Sequence, residues 1–187
     1  MTNFIKKNKW FLLLSFVVPL LLMGIILAAN QIYWGSTRSI LAGDSYHQYV
    51  ALHALYDNIL HSAGKQGFFY TFTSGLGMNL YAFAAYYMGS FFMPITFFFN
   101  VHNMPDALYL LTLLKAGFMA LSFFISFKNM YKKLPNLILL AFACAYSLMS
   151  FITSQVEIVM WLDIFILLPL IIWGLHRLQD DGKRMLY

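Results

Sequence analysis

The stretch Trp10–Ala29, WFLLLSFVVPLLLMGIILAA, decides the fold class of this chain. It carries no charge, and a helix of about 20 apolar residues crosses the hydrocarbon core of a bilayer. Lys6, Lys7 and Lys9 precede it. The stretch is too long for the apolar core of a cleaved signal peptide, and only a weak cleavage site, Ala28-Ala29-Asn30, follows it. We therefore expect an uncleaved signal anchor with its N-terminus in the cytosol.

The composition extends this expectation to the whole chain. Hydrophobic residues make up 61% of the sequence and charged residues 10%, whereas a soluble domain carries about 25% charged residues. The net charge of +5 lies at the edges of apolar stretches, where basic residues orient spans and meet anionic lipid. We therefore expect membrane lipids as partners and no nucleic acid. Cys144 is the only cysteine, so neither a disulfide framework nor a cysteine metal cluster is possible within the chain.

The sequence predicts an all-α, polytopic transmembrane protein of about four spans in a single transmembrane domain. Besides 10–29, the predicted spans are 107–127, 137–152 and 164–178. The run Leu80–Phe99 decides the topology. If it does not cross, nine of the twelve Lys and Arg residues face the cytosol, whereas only three of those nine do so if it crosses. Gly89, Ser90 and Pro94 also interrupt the run, so we place 30–106 in one large external loop with interfacial helices.

Within this loop, Ser45–Ser62 has the pattern of an amphipathic helix that ends near Gly64. The segment Thr71–Asn79, rich in small polar residues, is predicted to be an ordered loop. The helix has an apolar stripe and an opposite polar one. The apolar stripe comprises Tyr49, Leu52, Leu55, Tyr56, Ile59 and Leu60, and the polar stripe comprises His53, Asp57 and His61. The polar stripe fits either a metal-binding face or, more simply, a solvated face.

Three of the five acidic residues on the predicted outer side fit functional roles. Asp44 precedes the helix and fits a general base, a ligand of a divalent cation or an N-cap. Glu157 and Asp163 flank Trp161 at the outer ends of the last two spans, where Trp161 fits an interfacial aromatic belt and Asp163 an N-cap. Asp163 is the second choice for a catalytic residue.

Lys115 lies inside the second span, about 13 Å from its outer end at 1.5 Å per residue. A charge at that depth needs a partner. Either an anionic lipid phosphate or an acid on a neighbouring helix would neutralise it.

Three segments, in this order and spacing, resemble the N-terminal part of the bacterial YfhO-type membrane proteins. They are Gly43–Tyr49 (GDSYHQY), Ser74–Asn79 (SGLGMN), and Trp161-Leu162-Asp163 followed by Leu167–Leu170 (LLPL). The family is similar to the GT-C class of glycosyltransferases, which place a catalytic acid in the first external loop. The resemblance covers nearly the whole chain. The family's chains are much longer, and the apolar start Met185–Tyr187 agrees with a truncated N-terminal fragment.

The resemblance implies a transfer of sugar from a polyprenyl-phosphate donor to a wall polymer such as lipoteichoic acid, on the outer face of a bacterial membrane. It makes Asp44 the first choice for the catalytic residue. A resident cofactor is not expected, although a divalent cation fits the chemistry. A transporter or flippase component, with Lys115 and Asp163 as an intramembrane relay, and a non-catalytic scaffold are the alternatives. The residues expected to bind substrate are Lys115, Tyr46, His47, Gln48, Asn79, Glu157 and Trp161.

Overall fold

The computed structural model describes residues 2–61, 69–72 and 76–181. These residues form helices and no strand, apart from an isolated antiparallel bridge between Thr71 and Met78. The predicted all-α class is confirmed. The helices are α1 (Thr2–Ala29), α2 (Val50–His61), α3 (Leu80–Tyr87), α4 (Met104–Met130), α5 (Asn136–Ser147), α6 (Ser150–Ser154) and α7 (Leu162–Asp181).

Four helical segments in the described part of the chain are long and apolar enough to cross a membrane. They are Phe4–Ala29, Val101–Met130, Asn136–Ser154 and Val159–Gln179. Each contains one of the predicted spans. The third is interrupted, because α5 ends at Ser147 and α6 begins at Ser150. The protein is therefore a polytopic membrane protein, as the apolar runs predicted.

The described residues divide into two compact units. The span unit takes those within Met1–Gln31, Thr112–Val156 and Trp161–Tyr187, and the loop unit takes those within Ile32–Leu111 and Glu157–Met160. The loop unit therefore corresponds largely to the predicted external loop 30–106. One hydrogen bond joins the two ends of this loop: the backbone N–H of Gly35 donates to Oδ1 of Asp106 at 3.0 Å.

In the span unit, α1 packs closely against its neighbours. A Cβ at Gly117 would lie 2.8 Å from the ring of Phe16, so glycine is needed there for helices α1 and α4 to approach. The side chain of Asn136, at the start of α5, donates to Asn8 Oδ1 of α1 at 3.1 Å. One buried apolar cluster of this unit comprises Ala120 and Phe124 of α4 and Leu139 and Ala143 of α5.

In the loop unit, the run Leu80–Phe99 is not a long helix. It forms the eight-residue helix α3, a break after Tyr87, and a 3₁₀ segment at Met93–Phe98. Leu80, Met88 and Met93 pack against Leu52 and Ile59 of α2 in one apolar cluster. The run is therefore used to cover α2, which agrees with its placement in the loop.

The helix predicted at Ser45–Ser62 starts with a five-residue π turn, Ser45–Tyr49, and continues as α2. The interpretation of its polar stripe as a solvated face is wrong for two of its three residues. His53 and Asp57 are buried, with 5% and 8% of their surface exposed, whereas His61 is exposed. The segment Phe97–His102 lines a cavity together with Asp57. Some predictions fall outside the described residues: the helix end at Ser62 and Gly64, the middle of the Thr71–Asn79 loop, and the C-terminal start Met185–Tyr187.

Candidate functional site

Asp44 lies immediately before the π turn, with its side chain exposed to solvent. Its backbone is helical, with φ −65° and ψ −30°, and its carboxylate accepts no capping hydrogen bond. The N-cap interpretation is therefore wrong, because a capping residue normally has extended backbone that turns its oxygen toward the N–H groups of the first turn. Instead, Gln48 Nε2 donates to Asp44 Oδ1 at 2.7 Å.

A second hydrogen bond orients Gln48. The hydroxyl of Tyr87, on α3, donates to Gln48 Oε1, which leaves the amide nitrogen of Gln48 facing Asp44. Burial, followed by the neighbouring Tyr86 and Asp44, raises the pKa of Tyr87. Burial likewise raises the pKa of Tyr49, whose ring packs edge-on to that of Tyr87 at 5.3 Å. Tyr87 therefore remains a protonated donor at neutral pH, and the chain Tyr87–Gln48–Asp44 stays in one orientation.

Glu157 braces the start of this segment. The hydroxyl of Ser45 donates to its backbone carbonyl, and a Cβ at Gly43 would lie 2.9 Å from its carboxylate. Gly43 also has φ +47°, in the left-handed region that favours glycine. The sequence Gly43-Asp44-Ser45 thus combines a close approach, the carboxylate and an anchor. The π turn that follows is a rare geometry, found frequently at functional sites.

A cavity of about 550 Å³ opens beside Gln48 and Tyr87. Such a volume is ordinary for a small-molecule site. Its lining combines amides, a ring nitrogen and an aromatic face with aliphatic side chains: His47, Gln48, Leu52, Asn58, Phe83 and Tyr87 are among the residues that form it. Tyr46 is 63% exposed, and its ring meets that of His47 edge-on at 5.2 Å. This lining can stack on the C–H face of a sugar and pair with its hydroxyl groups.

Asn79 has a structural role at the start of α3. It is the N-cap of this helix, and its side chain accepts a hydrogen bond from the backbone N–H of Tyr81 at 2.9 Å. Its backbone is extended, with φ −84° and ψ 109°, which is the geometry that a capping residue needs.

We expect Asn79→Ala to lower the free energy of unfolding by about 1 kcal/mol, because the cap is lost. Asn79→Asp should be nearly neutral, because a carboxylate accepts the same bond. Chemical denaturation of the purified protein, followed by circular dichroism, measures both. If both variants are as stable as the wild type but both bind sugar less well, Asn79 acts on substrate and not as a cap.

In the span unit, Lys115 and Asp163 form an ion pair, with 2.7 Å between Nζ and Oδ1. The side chain of Lys115 is fully buried and that of Asp163 is 17% exposed. Of the two predicted partners of Lys115, the structure shows the acid on a neighbouring helix. Asp163 lies in the first turn of α7 and serves this pair, while the preceding Trp161 is 44% exposed.

Within residues 2–61, 69–72 and 76–181, the structure contains no group of three or more His, Cys, Asp or Glu side chains that could hold a metal ion. The stripe of His53, Asp57 and His61 is not such a group. Its last two members instead form a pair, with 3.1 Å between His61 Nδ1 and Asp57 Oδ1.

Two polar residues of the cavity, Tyr87 and Asn58, were not among the predicted substrate contacts. Tyr87 lies within the apolar run Leu80–Phe99, and its hydroxyl orients Gln48. Asn58 lies on α2, immediately after Asp57 of the polar stripe, and lines the cavity. No local pattern indicates the Tyr87–Gln48 contact, because the two residues are 39 positions apart.

The family model described as bacterial membrane protein YfhO matches residues 15–187. The chain therefore belongs to the YfhO family, as its three motifs predicted. No curated protein and no solved structure matches the chain.

Proposed function

We propose that this YfhO-family chain is part of a membrane glycosyltransferase that moves a sugar from a polyprenyl-phosphate donor to a cell-envelope polymer such as lipoteichoic acid. The observation that carries the proposal is the exposed Asp44 carboxylate, held by Gln48 and Tyr87 beside the polar and aromatic cavity. An oriented carboxylate next to a pocket suited to hydroxyl groups is what base-assisted sugar transfer needs.

In the proposed reaction, Asp44 accepts the proton of the acceptor hydroxyl while that oxygen attacks the anomeric carbon of the donor sugar. The bond between the anomeric carbon and the phosphate oxygen breaks, and its electron pair leaves with polyprenyl phosphate. Gln48 donates to Oδ1 of Asp44, so Oδ2 is the oxygen available to take the proton. Tyr46, His47 and Gln48 are the proposed sugar contacts.

The other predicted substrate contacts remain proposals of different kinds. Glu157 and Asn79 act on substrate through the segments that they brace and cap, and Trp161 is exposed at the start of α7. Lys115 is paired with Asp163, so a contact with the donor phosphate requires that this pair open.

The proposal is tested by mass analysis of lipoteichoic acid and related wall polymers from cells with and without the full-length gene product. We expect the sugar substituent to be lost without the protein and restored by a plasmid copy. A polymer with unchanged sugar content would contradict the proposed acceptor.

The proposed orientation places the N-terminus and Lys128–Lys133 in the cytosol and the loop unit outside. In a Cys144→Ala background, we expect a membrane-impermeant maleimide to label Phe91→Cys in intact cells but not Tyr131→Cys. Both side chains are exposed, at 81% and 50%, so the membrane and not burial decides the result. Permeabilised cells should show both labels. Labelling of Tyr131→Cys in intact cells would reverse the orientation.

The Lys115–Asp163 pair supports a second candidate, a transporter or flippase component in which the pair relays a charge. Under this alternative, the double change Lys115→Met with Asp163→Leu would stop lipid-linked sugar from crossing the membrane of proteoliposomes that contain the protein. Under the transferase proposal, the same double variant would leave crossing at the level of empty vesicles, as the wild type does.

A further inference from the structure

We propose that the loop unit holds a second saccharide-binding site, which adjoins the cavity beside Gln48 at Asn58 of α2. A separate cavity of about 600 Å³ lies there. Asn58 lines both cavities. The residues of the second cavity are Asp57, Asn58, His61, and the segment Phe97–His102.

The aromatic part of this cavity is fixed by stacking. Phe97 stacks on Tyr56 with 6.0 Å between ring centroids, and Phe99 packs on Trp34 at 5.5 Å. Phe98, between them, is 87% exposed. A bare, oriented phenyl ring can bind the C–H face of a sugar, because the face of the ring carries partial negative charge and the C–H bonds partial positive charge.

The polar part favours a ligand that donates hydrogen bonds. Asp57 is buried, with 8% of its surface exposed. His61 Nδ1 lies 2.9 Å from the backbone carbonyl of Asp57 and 3.1 Å from its Oδ1. Oδ1 is itself closed to solvent, but 12% of the Asp57 side chain is exposed, so a ligand hydroxyl would donate to the other carboxylate oxygen.

The same carboxylate selects against phosphate. An anionic phosphodiester in this cavity would meet the charge of Asp57 at short range in partly buried surroundings, where like charges repel strongly. Asn58 and Asn100 supply both donors and acceptors, as vicinal hydroxyl groups require. The ligand class is therefore a neutral sugar unit. A site for such a unit, adjoining the first cavity through Asn58, would hold a glycan segment while its neighbour reacts.

The inference rests on the proposed function only in that sugars reach the loop unit, and its test measures binding without transfer. Saturation-transfer NMR titrations of the purified full-length protein would use glucose, galactose and N-acetylglucosamine, with glycerol 3-phosphate as the anionic probe. We expect at least one neutral sugar to bind, and Phe98→Ala to weaken that binding by roughly fivefold or more. Phe91→Ala is the matched control, because Phe91 is 81% exposed in the same run but outside the lining.

Asp57→Asn should also weaken binding, and Asp106→Asn, which removes one negative charge from the loop unit outside the lining, should leave it unchanged. Because binding is measured without transfer, a protein inactive in transfer would still bind sugar here. Loss of binding in Phe91→Ala to the same extent as in Phe98→Ala would overturn the site. So would the absence of saturable binding by any neutral sugar, or a preference for glycerol 3-phosphate.

Discussion

Asp163→Leu is expected to destabilise the protein strongly, by about 3–5 kcal/mol, because it leaves the ammonium of Lys115 buried without this counter-charge. Lys115 is fully buried and lies 2.7 Å from Asp163. Lys115→Met should cost less, because the side chain of Asp163 is 17% exposed whereas that of Lys115 is fully buried. This order of the two single changes follows from burial alone.

The double change Lys115→Met with Asp163→Leu is the decisive control. Replacing both partners of a buried pair with apolar residues is often neutral or stabilising, so we expect the double variant to recover most of the lost stability. Thermal unfolding of the purified proteins in one detergent measures all four. A single variant as stable as the wild type would show that the pair is not maintained in the membrane.

The same series tests the predicted contact of Lys115 with the donor phosphate. If the pair has only a structural role, the double variant should fold and transfer sugar normally. If Lys115 binds phosphate, the double variant should fold but use donor poorly, and Lys115→Arg should retain part of the activity because it keeps the charge.

The membrane fold could be predicted from the sequence because the bilayer imposes a simple rule. Trp10–Ala29 and the three later apolar runs are long enough to cross, and a lipid-exposed backbone must be helical. The same rule required a partner for Lys115. It could not choose between a lipid phosphate and an acid, because that choice depends on how α4 and α7 approach each other.

The interior of the loop unit was harder to predict. His53 and Asp57 lie on a stripe that is polar in sequence, but both are buried. Helical periodicity gives no sign of residues distant in the chain, such as Phe97–His102 beside Asp57, that surround α2. Asp44 had the sequence position of an N-cap, yet its helical backbone turns the carboxylate to Gln48 instead. The motif located the carboxylate, and the tertiary contact with Tyr87 determined its geometry.

The proposed reaction depends on Asp44 as the base, and the change Asp44→Asn separates the charge of this side chain from its position. The Oδ1 of asparagine can still accept from Gln48 Nε2, so the chain of bonds to Tyr87 should persist and stability should change little. Asparagine cannot take a proton from an acceptor hydroxyl. We therefore expect transfer to fall by roughly a hundredfold or more, with partial activity in Asp44→Glu.

Asp106→Asn is the matched control for the loss of one negative charge in the loop unit. Its Oδ1 accepts a hydrogen bond from the Gly35 backbone, and asparagine can accept that bond as well. Stability and expression should be equal in the two variants. Only the variant at position 44 should lose activity.

The most direct measurement is the initial rate of transfer from a radiolabelled polyprenyl-phosphate sugar to the polymer, by the purified full-length protein in proteoliposomes at matched amounts. We expect Asp44→Asn to retain at most about one hundredth of the wild-type rate, while Asp106→Asn stays near the wild type. Equal rates for Asp44→Asn and the wild type would contradict the proposed role of Asp44.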